Sequence, residues 1–492
     1  MRLEVAMNVS DSRRVYLKAA ACGFLLFRNA YLYAAQPLNV KDFGAKGDGV
    51  TDDYGALKRA FAALNEARTG VLVFPPGRYY IKKYRIKLDQ LDEENITLKN
   101  CSNVIIDLQG SEVRVNGAIH RGADRKGKIG WISEINTVIP INLVNCSNIT
   151  IKNGTLIGEA RLMTRDSGTV EGACHGVRIA NCHTITLDSL SINNFASDGL
   201  YIAGLYTQDS KKYGVSTNIV LKNVSFKGNA RQGMSIVGAR DVRCTECSFT
   251  EMGNTGGSYG GHSPMAGVDI EPTERPPVAG AMTGEIYFEN CKFGDNEGFN
   301  FVASSPYTTD TVYCKSCLFY STGGPSREGK TRCKVNPVVR RAVFDQCTFE
   351  NVSVVPGYGL YKMAHMASIA ISRSKFISKG MAGPLVSYLA KDPAPNWIIA
   401  ESEFIIEQDE RSSSASIALQ GSGISFERNS VVVQNQAKRA YTVAVLRDGV
   451  VATSNKWERK GNDFSTKIYI KGDSVGVGDQ IDNLRGLIIQ QK

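Results

Sequence analysis

Short runs of alternating apolar and polar residues return every few tens of positions along most of this chain. Asn103-Val104-Ile105-Ile106-Asp107, Asn148-Ile149-Thr150-Ile151, Thr184-Ile185-Thr186-Leu187 and Asn218-Ile219-Val220-Leu221 come first. Glu285-Ile286-Tyr287-Phe288, Ala342-Val343-Phe344 and Ser368-Ile369-Ala370-Ile371 follow. Runs of this length, rich in β-branched residues, predict strands. Their return at a roughly constant period predicts a solenoid, in which each coil buries its apolar face only against its neighbours.

A second series has the pattern x-Gly-apolar-x-apolar: His175-Gly176-Val177-Arg178-Ile179, Asp198-Gly199-Leu200-Tyr201-Ile202, Gln232-Gly233-Met234-Ser235-Ile236, Ala266-Gly267-Val268-Asp269-Ile270 and Glu297-Gly298-Phe299-Asn300-Phe301. A period of two puts Val177, Leu200, Met234, Val268 and Phe299 inside. Arg178, Tyr201, Ser235, Asp269 and Asn300 then face out, in one row at about 4.8 Å per coil if the strands are neighbours.

The segment from Asn39 to Asp53, containing Asp42-Phe43-Gly44-Ala45-Lys46-Gly47-Asp48-Gly49, with Gly70-Val71-Leu72-Val73-Phe74-Pro75-Pro76-Gly77 after it, resembles the opening of the pectate-lyase-like β-helix superfamily. The resemblance implies an all-β, right-handed parallel β-helix spanning 36–420, with terminal coils and a cap over 421–492. Members include polysaccharide lyases, glycoside hydrolases, alginate epimerases and phage tailspikes, so it bears on fold more than on reaction. Between the two halves, Thr51 or Asp52 can cap a helix with Ala56, Ala60, Phe61 and Leu64 on one face, covering the open end of the first coil. Asp48, Asp52 and Asp53 miss the calcium-loop spacing and suit turns and caps. From about Gly421 strand runs such as Val431-Val432-Val433 persist but the regular pattern fades.

Composition sharpens this. With 42% hydrophobic and 22% charged residues the chain is globular, and 48 Gly against 15 Pro favour strands joined by turns. Ser12-Arg13-Arg14-Val15-Tyr16-Leu17-Lys18, followed by apolar Ala19 to Phe27, resembles a twin-arginine export signal over 1–35. This predicts a periplasmic or secreted protein, since the apolar stretch is too short for stable membrane insertion. Removing the signal takes three positive charges from a net +10, leaving about +7 on the body. That charge suits an acidic polysaccharide, and no basic run or RNA-binding signature supports nucleic acid. Eleven cysteines would remain, an odd number that argues against a complete disulfide framework. Cys244-x-x-Cys247 and Cys314-x-x-Cys317 have zinc-like spacing. The Asn-Cys pairs at 100–101, 145–146, 181–182 and 290–291, each beside a strand-like run, favour buried stacked thiols instead, so no metal or cofactor is expected.

The candidate chemistry centres on Gly267-Val268-Asp269-Ile270-Glu271-Pro272. Asp269 and Glu271, two apart on a strand, should face outward about 6.6 Å apart and divide acid and base roles. A similar segment, with an Arg-Gln-Gly-x-Ser-Ile strand one coil earlier (here Arg231 to Ile236), recurs in bacterial β-helix proteins of this superfamily. Asp198 resembles the acid of the Asn-Thr-Asp-Gly strand of polygalacturonase-type hydrolases. The paired aspartates of that family are replaced by Arg231-Gln232, and its Gly-His-Gly and Arg-Ile-Lys segments, like the Asp-Pro-His of alginate epimerases, are absent. His262, in a glycine-rich loop, could reach the carboxylates. Arg178, Arg231, Tyr201, His175 and Asn300 are candidate subsite residues, Arg holding uronates and Tyr stacking on sugars. The expected function is an exported glycoside hydrolase acting on an acidic glycan. A lyase or epimerase of the same fold, or a non-catalytic carbohydrate-binding or tailspike-like β-helix, is the alternative.

Overall fold

The computed structural model describes residues 36–82, 86–87, 91–115, 134–135, 138–162, 175–207, 212–257, 260–261, 263–271, 283–303, 309–322, 333–355, 367–379, 381, 383–388, 396–408, 415–435, 441–447, 449–460, 468–472, 480–482 and 487–490. The signal segment and His262 lie outside the described residues. The chain winds as a right-handed parallel β-helix, because strands that cannot close locally pair in parallel with the coil before and the coil after.

Columns of inward side chains hold the walls. In the first wall Val104, Ile149, Ile185, Ile219, Val242, Ile286, Val312, Ala342, Ile369, Trp397 and Ile424 are register partners in succession. All are buried. In the second wall the column is aromatic: Phe226, Phe249, Phe293, Phe319, Phe349, Phe376 and Phe404. Their rings stack at 4.5–5.1 Å between neighbours. That separation is close to the natural strand spacing, so one ring per coil fills the interior without strain.

The Asn-Cys pairs mark corners. Asn100, Asn145, Asn181 and Asn290 have positive φ, a conformation asparagine tolerates better than most residues. The cysteine that follows turns inward. All ten described cysteines are buried and free, and among the described residues no group of three or more metal-ligating side chains is arranged around a common point.

Helix α1 (Tyr54–Ala67) buries Ala56, Leu57, Ala60, Phe61 and Leu64 over the first coil. Its N-cap is Asp53, not Thr51 or Asp52, and Asp53 makes no capping bond. The Asp53 carboxylate instead accepts from the backbone N–H groups of Lys46, Gly47 and Tyr80, tying the opening motif together. Asp52 accepts from Tyr54 N and Lys82 N.

Past Gly421 the ladders run on where the sequence pattern fades. Ile424–Glu427, Ser430–Asn435, Val451–Thr453 and Lys456–Lys460 continue the first two walls. Pairing needs only the strand backbone, so these coils form without the glycine signature. Among the described residues no helix is long and apolar enough to cross a membrane.

The third wall carries the candidate site. Its strands, each paired to the next, are β1 (Thr97–Lys99), β2 (Ile141–Val144), β3 (Val177–Ala180), β4 (Asp198–Ala203), β5 (Gln232–Ile236), β6 (Ala266–Ile270), β7 (Phe299–Ala303) and β8 (Lys334–Pro337).

Candidate active site

A column of glycines decides which side chains reach the outer face. A Cβ on Gly199 would lie 2.6 Å from the Phe226 ring and 2.8 Å from Gly233 O. One on Gly233 would lie 2.6 Å from Gly267 O, and one on Gly267 2.5 Å from Asn300 O. No side chain fits there, so the glycine takes an inward position and interrupts the alternation of its strand. The residue before it joins the outer face, as does the residue two beyond it. Asp198 and Tyr201, and likewise Gln232 and Ser235, therefore share one surface although they are three apart.

The register brings the acids together. Asp198 pairs with Gln232, Tyr201 with Ser235, and Ser235 with Asp269. Arg231 is the hub: Nη1 donates to Gln232 Oε1 at 2.9 Å and lies 3.6 Å from Asp198 Oδ2, while Nη2 donates to Glu271 Oε2 at 3.1 Å. Ser235 Oγ donates to Asp198 Oδ2 at 3.0 Å and also contacts Gln232 Oε1. Gln232 Nε2 donates to Asp269 Oδ2. His175 Nδ1 sits 3.3 Å from Asp198 Oδ2, and its ring stacks on Tyr201 at 4.5 Å. Arg178 donates to Asn142 Oδ1 at 3.0 Å, two coils before β5.

Asp269 is only 1% exposed, contrary to the open face the strand pattern suggests, while Glu271 keeps 42% of its side-chain exposure. The outward side of β6 is occupied by neighbouring polar side chains rather than by water. Burial, then the neighbouring Glu271 carboxylate, push the Asp269 carboxyl well above the usual carboxylate range. Burial pushes Asp198 up too, but the Arg231 charge, His175 and the Ser235 hydroxyl outweigh it and hold Asp198 below its ordinary value. One wall thus holds two acids whose proton affinities are shifted in opposite directions.

Asn300 does not extend the row. Val302 is the partner of Asp269, and Phe301 rather than Phe299 faces Val268. An irregularity between Phe299 and Phe301 against β8 shifts the register. Asn300 is fully buried, accepting from Asn296 and donating to Tyr320 O. These bonds hold a corner and place Asn300 outside the row of Tyr201, Ser235 and Asp269.

A family profile described as rhamnogalacturonase A/epimerase, pectate lyase-like, matches residues 38–274, a span that includes every described site residue except Asn300. That span is just under half of the chain. The chain is 24% identical over 245 residues to the uncharacterized protein YclG of Bacillus subtilis, covering 48% of this chain and 38% of that one. It is 51% identical over 43 residues to alginate lyase 7 of Azotobacter vinelandii, 9% of this chain and 5% of that protein. These matches therefore span well under half of either relative. PfbA, a surface adhesin of Streptococcus pneumoniae, superposes with a TM-score of 0.51 at 13% identity over 88% of this chain and 93% of that one, which speaks to fold alone.

On this wall, Gln232 is the site residue that the strand alternation passed over. Its signal is the polar-Gly-apolar-polar tetrad: once the glycine occupies an inward position, Gln232 must face out with Ser235.

Proposed function

We propose that this protein is an exported glycan-cleaving enzyme, a glycoside hydrolase acting on an acidic polysaccharide, with Asp269 and Glu271 as its acid–base pair. The observation that carries the reading is a buried Asp269, with its carboxyl pushed above the usual carboxylate range by burial and by Glu271, beside a half-exposed Glu271 that Arg231 holds in place. The raised proton affinity of Asp269 lets it hold a proton that the neighbouring Glu271 can pass to a departing glycosidic oxygen, and the pair can take back the proton of the attacking water. Glu271, the more exposed, is the group substrate meets. Asp198 anchors Arg231 from behind. The guanidinium is committed to these carboxylates and to Gln232, which favours carboxylate chemistry over elimination by an arginine base. The pectate-lyase-like fold, the body charge near +7 and the short likeness to a protein named for alginate cleavage support an acidic glycan. Export rests on the twin-arginine pattern at Arg13-Arg14. An Arg13→Lys/Arg14→Lys variant that still leaves the cytoplasm would remove that part.

The sealing of Asp198 and Asp269 favours a second reading, a carbohydrate-binding β-helix in which the polar cluster only braces the wall. A panel of charged and neutral glycans, assayed for reducing ends and for unsaturated products, separates the two. Hydrolysis requires reducing ends without unsaturation, and Asp269→Asn and Glu271→Gln should each fold and lose at least 100-fold in kcat. Binding without products across the panel would establish the second reading. Unsaturated products would make the enzyme a lyase.

A further inference from the structure

The Arg231-Gln232 dipeptide lies on the strand between the two acidic coils, and its contacts are directional. Gln232 is fully buried. Its Oε1 accepts from Arg231 Nη1 at 2.9 Å and meets the Ser235 hydroxyl. The guanidinium can only donate, so the carbonyl end of the amide is fixed toward Arg231 and Ser235 and the NH2 end toward Asp269. Nε2 can only donate, and it donates to Asp269 Oδ2. When Asp269 carries a proton, the oxygen that accepts this bond is the carbonyl-type one, which leaves the proton to Oδ1.

We propose that Gln232 is the positioning residue of the acid pair, fixing the Asp269 proton on Oδ1 by occupying Oδ2 and relaying the orientation set by Arg231 and Ser235. This rests on the acid–base reading above. It gives the arginine a second task besides neutralising carboxylates. Arg231 also locks the amide, whose opposite end decides which Asp269 oxygen is available to give a proton. Glu271, in hydrogen-bonding contact with Asp269, is the neighbour placed to share that proton.

The test uses the full chain with Gln232→Met, Gln232→Glu and Asp269→Asn. Infrared spectra recorded across pH give the carbonyl band of the protonated Asp269 carboxyl, identified by its loss in Asp269→Asn. In Gln232→Met the carbonyl oxygen loses its donor, so the band should move to higher frequency and persist to higher pH, because a donor to a carboxylate favours the charged form. The conservative Gln232→Glu variant can donate to Oδ2 only while its new carboxyl is neutral. It should show the wild-type band at acid pH and lose it as that group ionises, and it carries the test if Gln232→Met does not fold. With a substrate from the panel, kcat of Gln232→Met should fall roughly tenfold or more with KM held, and its pH profile should move alkaline. An unmoved band in a folded Gln232→Met, or a Gln232→Glu band indifferent to pH, overturns the proposal. Bands that respond as expected in a protein that cleaves no glycan would uphold the positioning role and reject the enzyme reading.

Discussion

Replacing Arg231 by Met should destabilise the protein in a way that depends on pH, with a sign the structure sets. The variant keeps most of the aliphatic stem and removes the charge. What remains is Asp198, fully buried and deprived of the cation 3.6 Å from its Oδ2. At an effective dielectric constant of about 20, a pair at that distance is worth about 4 to 5 kcal/mol, in line with the roughly 3 to 5 kcal/mol lost when one partner of a buried pair is removed. The Glu271 contact adds under about 1 kcal/mol, because that carboxylate is nearly half in water. In the native protein Asp198 is held below its ordinary value, so its contribution is present above the unfolded value near 3.9 and is lost as pH falls through the folded one. Without the cation, burial dominates and lifts the folded value above the unfolded one. The contribution is then present in acid and lost as pH rises through the folded value. Urea denaturation from about pH 4 to 8 should therefore show a stability deficit that widens toward alkaline pH. Asp198→Asn in the Arg231→Met background should recover most of it. A deficit that is flat with pH, or a double-mutant cycle with coupling below about 0.5 kcal/mol, would refute the assignment of Asp198 as the ionised partner of Arg231.

Phe319→Ala removes one ring from the middle of the aromatic column, where it stacks on Phe293 at 4.7 Å and Phe349 at 5.0 Å. Chemical denaturation should register a loss of about 3 to 5 kcal/mol, and a loss below about 1 kcal/mol would show that the column is not a load-sharing core. Gly233→Ala would drive a Cβ to 2.6 Å from Gly267 O and 3.1 Å from the Phe249 ring. Because the obstacle is backbone, thermal unfolding should fall by several degrees, whereas an unchanged Tm would refute the corner geometry that turns Gln232 outward.

Much of the fold was legible in the sequence because a solenoid repeats its physical demands. Every coil needs an apolar residue at the same inward station, so Ile149, Ile185 and Ile219 announce themselves by position. The helix over the first coil was legible for the same reason, through the spacing of Ala56, Ala60, Phe61 and Leu64. Its cap was not, because three nearby aspartates offer equivalent local chemistry. Only the distant N–H of Tyr80 decides that Asp53 turns toward the opening motif. The coils after Gly421 lack the glycine tetrad, and their pairing rests on backbone bonds that leave little trace in side-chain pattern.

Which side chains share the third wall was largely legible, and their state was not. Period two puts Asp269 on the outer face, and it is there, yet outer does not mean wet: Gln232 donates to its Oδ2 and the residue is sealed. Exposure depends on what the next coil presents, and alternation within one strand carries no information about that. Asn300 fails for a related reason. Counting from Gly298 places it in the row, but the register between β6 and β7 makes Val302 the partner of Asp269. A row on a solenoid is thus defined by register between coils, and each glycine corner can reset the count within one. The same reset puts Gln232 and Ser235 on one surface, where a single amide meets both the anchoring arginine and the acid it orients. The arrangement that gives Asp269 and Asp198 opposite proton affinities follows from two coils meeting across a third.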